Sequence, residues 1–247
     1  MITTNFHTHC TYCDGKDTPE EMIKTAIDKG FTALGFSSHS FYGPSSEYTM
    51  SHENEPLYFE EINRLKEVYK GKIEILCGIE QDYYSGKPQF AFDYIIGSVH
   101  YIKCGSDYLS VDLSPEILKA GVQKYFGGDI YAFCEKYYSM VSEIIERTGA
   151  DIIGHFDLIS KFNENGDFFD SDHPRYVAAY RAAVDKLIKY NKPFEINTGA
   201  ISRGYRVTPY PSAPIKKYIE EKGGSFVLSS DSHQKETICF KFDEFHI

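Results

Sequence analysis

Residues 6–9 read Phe6-His7-Thr8-His9 and end the first apolar run of the chain. Side chains at positions i and i+2 of an extended segment point to the same side, so both imidazoles can reach one metal ion. A single H-x-H pair is weak evidence, because histidine pairs also occur on protein surfaces. The metal-site interpretation becomes stronger because the same pattern recurs along the chain. In each case a side chain that can bind metal stands at the end of a short apolar run.

The recurrences are Ser38-His39, Gly78-Ile79-Glu80, Ser98-Val99-His100, Gly154-His155 and Ser230-Asp231-Ser232-His233. Helical patterns lie between these runs. The first begins at Thr18-Pro19-Glu20-Glu21, which has the N-cap, the proline and the glutamate of a capping box. Strands that alternate with helices over short connections indicate a parallel β/α repeat.

The pattern predicts strands at 2–6, 32–36, 73–79, 94–99, 151–154, 193–197 and 225–229, and helices at 19–29, 57–70, 130–147, 174–190 and 212–222. Residues 240–245 are a candidate terminal strand. Residues 101–128 are interpreted as an irregular insertion near the site, with a lid as one role for it. Residues that follow the strands of a closed barrel converge on one face, whereas an open sheet gathers only those beside its switch point. The fold class is therefore predicted as α/β, an irregular TIM-like barrel of about seven strands with a metal site at their C-terminal ends.

Length and composition favour one domain over residues 1–247, since no Gly-, Ser- or Pro-rich linker divides the chain. The formal net charge of −10 argues against tight nucleic-acid binding, which needs a basic surface. No apolar run approaches the roughly 20 residues of a membrane span, and the N-terminus lacks a signal-peptide pattern. We expect a cytoplasmic protein with no membrane partner.

Cys10 and Cys13 form a C-x-x-C pair. A redox motif would be followed directly by a helix, whereas an Asp14-Gly15 turn follows here. Incidental spacing is therefore favoured over a redox role, and the six cysteines are expected to be free thiols.

The candidate metal ligands are His7, His9, Asp14, His39, Glu80, His100, His155, Asp231 and His233. A zinc ion takes three or four protein ligands, so this set suits two or three ions. Imidazole mixed with carboxylate suits zinc, iron or manganese. Glu80 is the candidate bridging carboxylate. Such a cluster generates a hydroxide nucleophile at neutral pH and clamps phosphoryl oxygens, which favours hydrolysis of a phosphate ester.

A phosphate ester also needs nearby cations. Arg203 and Arg206 share a loop after a predicted strand, and Lys161 follows Gly154-His155. Arginine binds phosphate through two parallel hydrogen bonds. The three are candidate substrate-binding residues, and solvated loop charges are the alternative.

Several other positions have two interpretations. Asp14 precedes Gly15 and either binds metal or makes a turn. Asp82 and Asn197 also stand at strand ends, where a supporting role and substrate contact are equally compatible with the pattern. The remaining histidines, His52, His173 and His246, are expected at the surface.

The ordered motifs resemble the polymerase and histidinol phosphatase superfamily, over the whole chain and with no polymerase appended. Within it, Thr11-Tyr12-Cys13-Asp14-Gly15, Gly154-His155-Phe156-Asp157-Leu158 and Glu195-Ile196-Asn197-Thr198-Gly199 are similar to segments of the histidinol-phosphate phosphatases. The resemblance implies a distorted seven-stranded β/α barrel with three divalent metal ions. Asp14 stands where many members carry a histidine.

By position, the resemblance implies three ligand sets: His7, His9, Glu80 and Asp231 for the first metal; Glu80, His100 and His155 for the second; Asp14, His39 and His233 for the third. It also implies basic residues at the barrel mouth that take the phosphate. The leading hypothesis is hydrolysis of L-histidinol phosphate, a small phosphate monoester in histidine biosynthesis, by a metal-bridging hydroxide. Glu80, Asp231 and His233 are the candidate catalytic residues.

Two alternatives remain at this point. One is a broader phosphoesterase of the same superfamily that acts on nucleotides, DNA ends or other small esters. The other is a metal-binding protein whose cluster is not catalytic. The oligomeric state is not predicted.

Overall fold

The computed structural model describes residues 3–42 and 47–245. Its strands are β1 (Thr4–Asn5), β2 (Ala33–Phe36), β3 (Glu74–Asp82), β4 (Tyr94–Ser98), β5 (Tyr101–Cys104), β6 (Asp107–Ser110), β7 (Ile152–Ile153), β8 (Phe194–Asn197) and β9 (Phe226–Ser229). Seven of them form one sheet in the order β1-β2-β3-β4-β7-β8-β9, with parallel pairing throughout. Because every strand runs the same way, their carboxyl ends meet at one face.

Hydrogen bonds just beyond the two edge strands bring the sheet close to a closed barrel. The amide of His9 donates to the carbonyl of Ser232 at 2.8 Å, and the amide of Ser232 donates to the carbonyl of His7 at 3.3 Å. The side chain of Asn5 donates to Ser230 Oγ at 2.7 Å. The predicted seven-stranded α/β barrel is confirmed.

The helices are α1 (Pro19–Asp28), α2 (Asn54–Val68), α3 (Pro115–Phe126), α4 (Ile130–Val141), α5 (Ile144–Thr148), α6 (Pro174–Leu187), α7 (Gly199–Ser202) and α8 (Ala213–Glu221). The capping box predicted at Thr18 is present, since the Thr18 side chain accepts from the Glu21 amide and the Glu21 side chain accepts from the Thr18 amide. Among the described residues, 3–42 and 47–245, no helix is both long and apolar enough to cross a membrane.

The prediction that residues 101–128 are irregular is wrong. Strands β5 and β6 form an antiparallel hairpin, and α3 packs against it. Ile102 and Leu109 of the hairpin are buried in the larger hydrophobic cluster with Leu118 of α3. The position near the site is as expected, because Ser110 and Asp112 line the main cavity.

Two boundaries also differ from the sequence prediction. The helix expected over 130–147 is divided into α4 and α5 at Ser142 and Glu143. Residues 240–245 form no strand but a series of turns that buries Phe242. Because Ser232 already closes the barrel against His7 and His9, that side of the sheet offers no edge for a further strand.

Candidate metal centre

Glu80, in the C-terminal part of β3, lies at the centre of the predicted ligands. Its Oε2 is 2.8 Å from His39 Nδ1, 3.3 Å from His7 Nε2 and 3.5 Å from His9 Nε2. The imidazoles come from the segments that follow β1 and β2, the two strands that precede β3 in the order of the sheet. The parallel register therefore places three histidines around one carboxylate oxygen.

The second oxygen of Glu80 faces the other side of the barrel. Its Oε1 is 2.9 Å from His155 Nε2 and 3.5 Å from His100 Nε2, and it accepts a hydrogen bond from Ser98 Oγ at 2.6 Å. The two oxygens thus face two separate sets of imidazoles. This is the arrangement that a carboxylate shared by two metal ions requires.

Asp231 follows β9 and completes the first set. Its Oδ1 lies 3.2 Å from His9 Nε2 and 3.6 Å from His7 Nε2. The backbone of Asp231 has a φ of +48°, a conformation that costs a non-glycine residue about 1–3 kcal/mol and is concentrated at functional sites. A Cβ at Gly199 would lie 2.8 Å from the Asp231 Cβ, so the glycine permits this close approach.

Asp14 and His233 form the outer part of the cluster, with His39 between them and Glu80. His233 Nε2 is 3.4 Å from Asp14 Oδ2, and His39 Nε2 is 3.9 Å from Asp14 Oδ1. The His233 ring also stacks on the His9 ring, with 4.0 Å between centroids. Asp14 therefore makes more than a turn, because its carboxylate points at two imidazoles.

The donor set fits divalent metal ions. Three buried side-chain atoms at the centre of the cluster, His7 Nε2, His9 Nε2 and Glu80 Oε2, have no hydrogen-bond partner among the described residues. Buried polar atoms are normally satisfied, and an ion is one explanation for those that are not. Ligand atoms close enough to share an ion occur in three groups: His7, His9 and Glu80; His39, Glu80 and His100; His9, Asp14, His39 and His233.

Buried carboxylates hold two of the candidate ligand histidines in position. His7 Nδ1 lies 2.6 Å from Glu195 Oε1, and His100 Nδ1 lies 3.3 Å from Asp82 Oδ2. Carboxylates behind metal-binding histidines fix the ring and the tautomer. Asp82, whose role was open, thus has a supporting function.

Glu195 is the functional residue that the sequence analysis did not select. It is fully buried in β8, and its Oε2 accepts from the His155 amide at 2.9 Å and from Asn197 Nδ2 at 2.8 Å. Asn197 is therefore also a supporting residue. The signal in the sequence was an acidic side chain inside the apolar run Pro193-Phe194-Glu195-Ile196.

Mutual charge stabilisation within the cluster shifts the ionisation of its members. Burial opposes ionisation of Glu80, but the nearby His39 and His7 imidazoles outweigh it and hold the pKa of Glu80 well below its usual range. Burial, together with the neighbouring His233 and His39 imidazoles, lowers the pKa of His9 well below its usual value. Burial also opposes protonation of His7, but Glu195 and Glu80 outweigh it and raise the pKa of His7 well above its usual value. Since imidazole binds metal in its neutral form, His9 is ready to bind an ion, whereas His7 releases a proton when an ion binds.

The cluster opens into a cavity of about 730 Å³. Arg203 and Lys161 line it together with Asp14, His39, His100 and His233. Arg203 donates from Nη2 to Asp231 Oδ2 and from Nη1 to the Asp231 carbonyl, both at 2.9 Å. The Lys161 ammonium lies 2.8 Å from the Asp112 carbonyl and 3.1 Å from Asp112 Oδ2. Two of the three predicted substrate-binding cations therefore reach the cavity.

Arg206 is not brought to the cavity. Its side chain is buried, its Nε lies 3.0 Å from Glu164 Oε2, and its other nitrogens donate to Ser160 Oγ and Thr208 Oγ1. With its guanidinium so engaged, Arg206 supports the segment that carries Lys161. The expectation of direct substrate contact is not supported by this position.

Of the other histidines, His52 is exposed, as predicted. His173 is half-buried, caps the N-terminus of α6 through Nδ1 and stacks on Tyr131. His246 lies outside the described residues.

Comparisons with known proteins identify the family of this chain. Residues 5–199 match the family described as the PHP domain. The chain is 29% identical to a protein of Deinococcus radiodurans named "Probable histidinol-phosphatase", over 96% of this chain and 88% of that protein. It is 25% identical to the histidinol-phosphatase of Bacillus subtilis, over 97% of this chain and 96% of that protein.

Two solved structures have the same fold. One, from Listeria monocytogenes and described as a candidate histidinol phosphatase, superposes with a TM-score of 0.85 at 21% identity, over 98% of this chain and all of that chain. The other is a histidinol phosphate phosphatase of Lactococcus lactis, described as complexed with zinc, L-histidinol and phosphate. It superposes with a TM-score of 0.70 at 22% identity, over 94% of this chain and 87% of that chain. Since the family match covers well over half of the 247 residues, the chain belongs to the PHP domain family.

Proposed function

We propose that this protein is a metal-dependent phosphomonoesterase that hydrolyses L-histidinol phosphate to L-histidinol and phosphate. The observation that carries the proposal is the Glu80-centred cluster, which opens into a cavity that also holds Arg203 and Lys161. The histidinol end of the substrate is supported by relatives named histidinol-phosphatase that align over nearly their whole length.

We infer that the cluster holds three divalent ions, zinc, manganese or iron. Their ligand sets are His7, His9, Glu80 and Asp231; Glu80, His100 and His155; and Asp14, His39 and His233. Ions bound there supply a nucleophile by lowering the pKa of water and neutralise charge on the phosphoryl oxygens. Glu80 holds the first two sets together, since its two oxygens face different imidazoles.

Arg203 and Lys161 bind the phosphate in this proposal. The Arg203 side chain is 34% exposed, so part of its guanidinium faces the cavity while two of its nitrogens are fixed by Asp231. Lys161 is held in place by Asp112 and by contact with the Tyr205 ring, 4.5 Å from the ammonium. Two cations fixed before the substrate arrives stabilise developing charge without reorganising.

His233, Asp231 and bound water are the candidates in this proposal for the proton that the leaving oxygen requires. His233 is half-buried at the cavity wall, and its Nδ1 lies 3.0 Å from the Asp231 carbonyl. A neutral imidazole that binds an ion through Nε2 and donates from Nδ1 to that carbonyl has no further proton to give. In this proposal His233 therefore acts as a ligand whose ring Asp231 fixes, and water in the cavity supplies the proton to the leaving oxygen.

We further propose that residues 1–247 act as one domain, in the cytoplasm, on a small molecule rather than nucleic acid. Strand β9, Asp231 and His233 lie beyond residue 199, where the family match ends, yet they complete the same sheet and the same cluster. The net charge of −10 disfavours a polyanionic partner.

The test is phosphate release by the purified, metal-loaded protein from histidinol phosphate, phosphoserine, AMP and a generic aryl phosphate. We expect kcat/KM to be highest for histidinol phosphate. Equal or faster turnover of AMP would replace the substrate assignment with a broader phosphoesterase. Bound metal without hydrolysis of any ester would indicate a non-catalytic metal protein.

Substitution of Arg203 tests the phosphate site. Arg203→Met should lower kcat/KM by about 10²-fold or more, because a fixed donor to the transition-state charge is lost. Arg181→Met is the matched control, since Arg181 lies against the Tyr218 ring and is not among the residues that line the cavity. Unchanged kcat/KM in Arg203→Met would remove Arg203 from the site.

A further inference from the structure

The turn after His9 presents two side chains to the metal cluster. The amide of Cys13 donates to the carbonyl of Cys10 at 3.0 Å, which closes the turn. A Cβ at Gly15 would lie 2.4 Å from the Cys10 nitrogen, so a glycine is needed where the chain folds back. One side chain that the turn delivers is Asp14, which faces His39 and His233. The other is Cys13.

The sulfur of Cys13 contacts a metal-ligand histidine on the side away from the metals. Cys13 Sγ lies 3.5 Å from His9 Nδ1. The other nitrogen, His9 Nε2, faces Asp231 Oδ1 at 3.2 Å and Glu80 Oε2 at 3.5 Å, and it is buried without a hydrogen-bond partner. Cys13 is therefore not placed among the ligands but behind one of them.

The protons of this contact can be assigned. A neutral imidazole that binds metal through Nε2 carries its proton on Nδ1, so His9 needs an acceptor there. The thiol hydrogen of Cys13 is directed to the Cys10 carbonyl, 3.6 Å from the sulfur. The sulfur lone pairs are thus free to accept the His9 proton.

We propose that Cys13 is a positioning residue for His9: its sulfur accepts the Nδ1 hydrogen bond and holds Nε2 toward Glu80 and Asp231. His7 and His100 have the carboxylates of Glu195 and Asp82 in the equivalent place. His9 instead depends on a neutral and weaker acceptor. The inference rests on the metal binding in the proposed function but not on its substrate.

Cys10 does not share this role. Its residue is fully buried, and its sulfur lies 3.3 Å from Ser38 Oγ. The contact with His9 Nδ1 is that of Cys13, and it explains a sulfur at position 13 without a redox reaction.

The experiment compares Zn²⁺ affinity, measured by competition with a chromogenic chelator, among Cys13→Ala, Cys13→Ser and Cys239→Ala. Cys239 is the matched control because it is also half-buried and packs against the same hydrophobic cluster as Cys13. We expect Cys13→Ala to bind its tightest Zn²⁺ about 10–100-fold more weakly, the usual effect of losing a partner behind a ligand histidine. Cys13→Ser retains an acceptor and should recover most of the affinity.

The midpoint of thermal unfolding of the metal-free forms should be the same for Cys13→Ala and Cys239→Ala. Wild-type Zn²⁺ affinity in Cys13→Ala, or an equal loss in Cys239→Ala, would overturn the proposal. If Cys13→Ala does not fold, Cys13→Val keeps the volume without an acceptor and takes its place. Because Zn²⁺ affinity is measured without an ester, failure of the hydrolysis assay would reject the proposed function and leave this result intact.

Discussion

Glu195 links the interior of the barrel to its catalytic face. The carboxylate is fully buried, yet burial fails to neutralise it: burial raises its pKa, and the charges and hydrogen bond of His7 outweigh that effect and lower it. The same side chain accepts the His155 amide. One residue thus orients a ligand of the first set and fixes the backbone at a ligand of the second.

Replacing Glu195 with glutamine should weaken metal binding while the fold is retained. The amide has nearly the same shape but no charge, so it orients His7 less firmly and leaves it a weaker ligand. We expect a 10–100-fold loss of Zn²⁺ affinity in a chelator competition assay. Glu143→Gln is the control, since Glu143 accepts a hydrogen bond from Tyr83 at 2.6 Å and is not among the residues that line the cavity. Equal affinities in the two variants would contradict this role.

Tyr94 fixes how the first three strands approach one another. Its ring packs where Gly35 and Gly78 have no side chain, and a Cβ at Gly78 would lie 2.3 Å from the ring. The single hydrogen of its hydroxyl is shared between the carbonyls of Phe6 at 2.5 Å and Phe36 at 3.0 Å. The ends of β1 and β2, from which His7 and His39 project, are therefore tied to β4.

Removing that hydroxyl should destabilise the barrel. Tyr94→Phe leaves two buried carbonyls without this donor, and an unsatisfied buried polar group costs about 1–3 kcal/mol. We expect the free energy of unfolding in urea to fall by about that amount. The comparison is Tyr190→Phe, whose hydroxyl donates to Glu146 at the surface and should matter little. A Tyr94→Phe protein as stable as wild type would show that neighbouring groups or water satisfy the carbonyls.

The sheet strands and most helices could be predicted from the sequence because each carries its own signal. The capping box at Thr18 is an example, and the ligands could be located because each follows an apolar run. The hairpin was missed although Gly105-Ser106 separates two short alternating segments, since Ile102 and Leu109 are buried in a cluster whose other members come mostly from distant parts of the sequence. The break between α4 and α5 at Ser142 could not be predicted, because no proline or glycine marks it in the sequence. Glu195 was missed because its partners are distant in sequence.

The barrel places several carboxylates in one buried region. Glu80, Glu195 and Asp231 are each at most 5% exposed. Imidazoles lie beside the negative charge of all three, and Arg203 also pairs with Asp231. Burying charge is costly unless it is paired or binds metal. The closure of β1 against β9 thus brings ligands from both ends of the chain into a region that divalent cations stabilise.

Metal removal should therefore lower the stability of the entire barrel, because ions that bind only the folded chain stabilise it by mass action. A free ion at 100 times its dissociation constant contributes about 2.7 kcal/mol per site. For a chain of this size about 1 kcal/mol corresponds to roughly 2–4 °C, so dialysis against a chelator should lower Tm by about 5–10 °C for each site emptied. Calorimetry with elemental analysis of the same samples measures both quantities, and added Zn²⁺ or Mn²⁺ should restore the wild-type Tm.

Glu80→Gln should show a smaller change in Tm on metal removal, since the ligand shared by two sets is lost. An unchanged Tm in a protein shown to have lost its metal would mean that the cluster is stable without cations, and that its imidazoles and carboxylates balance one another.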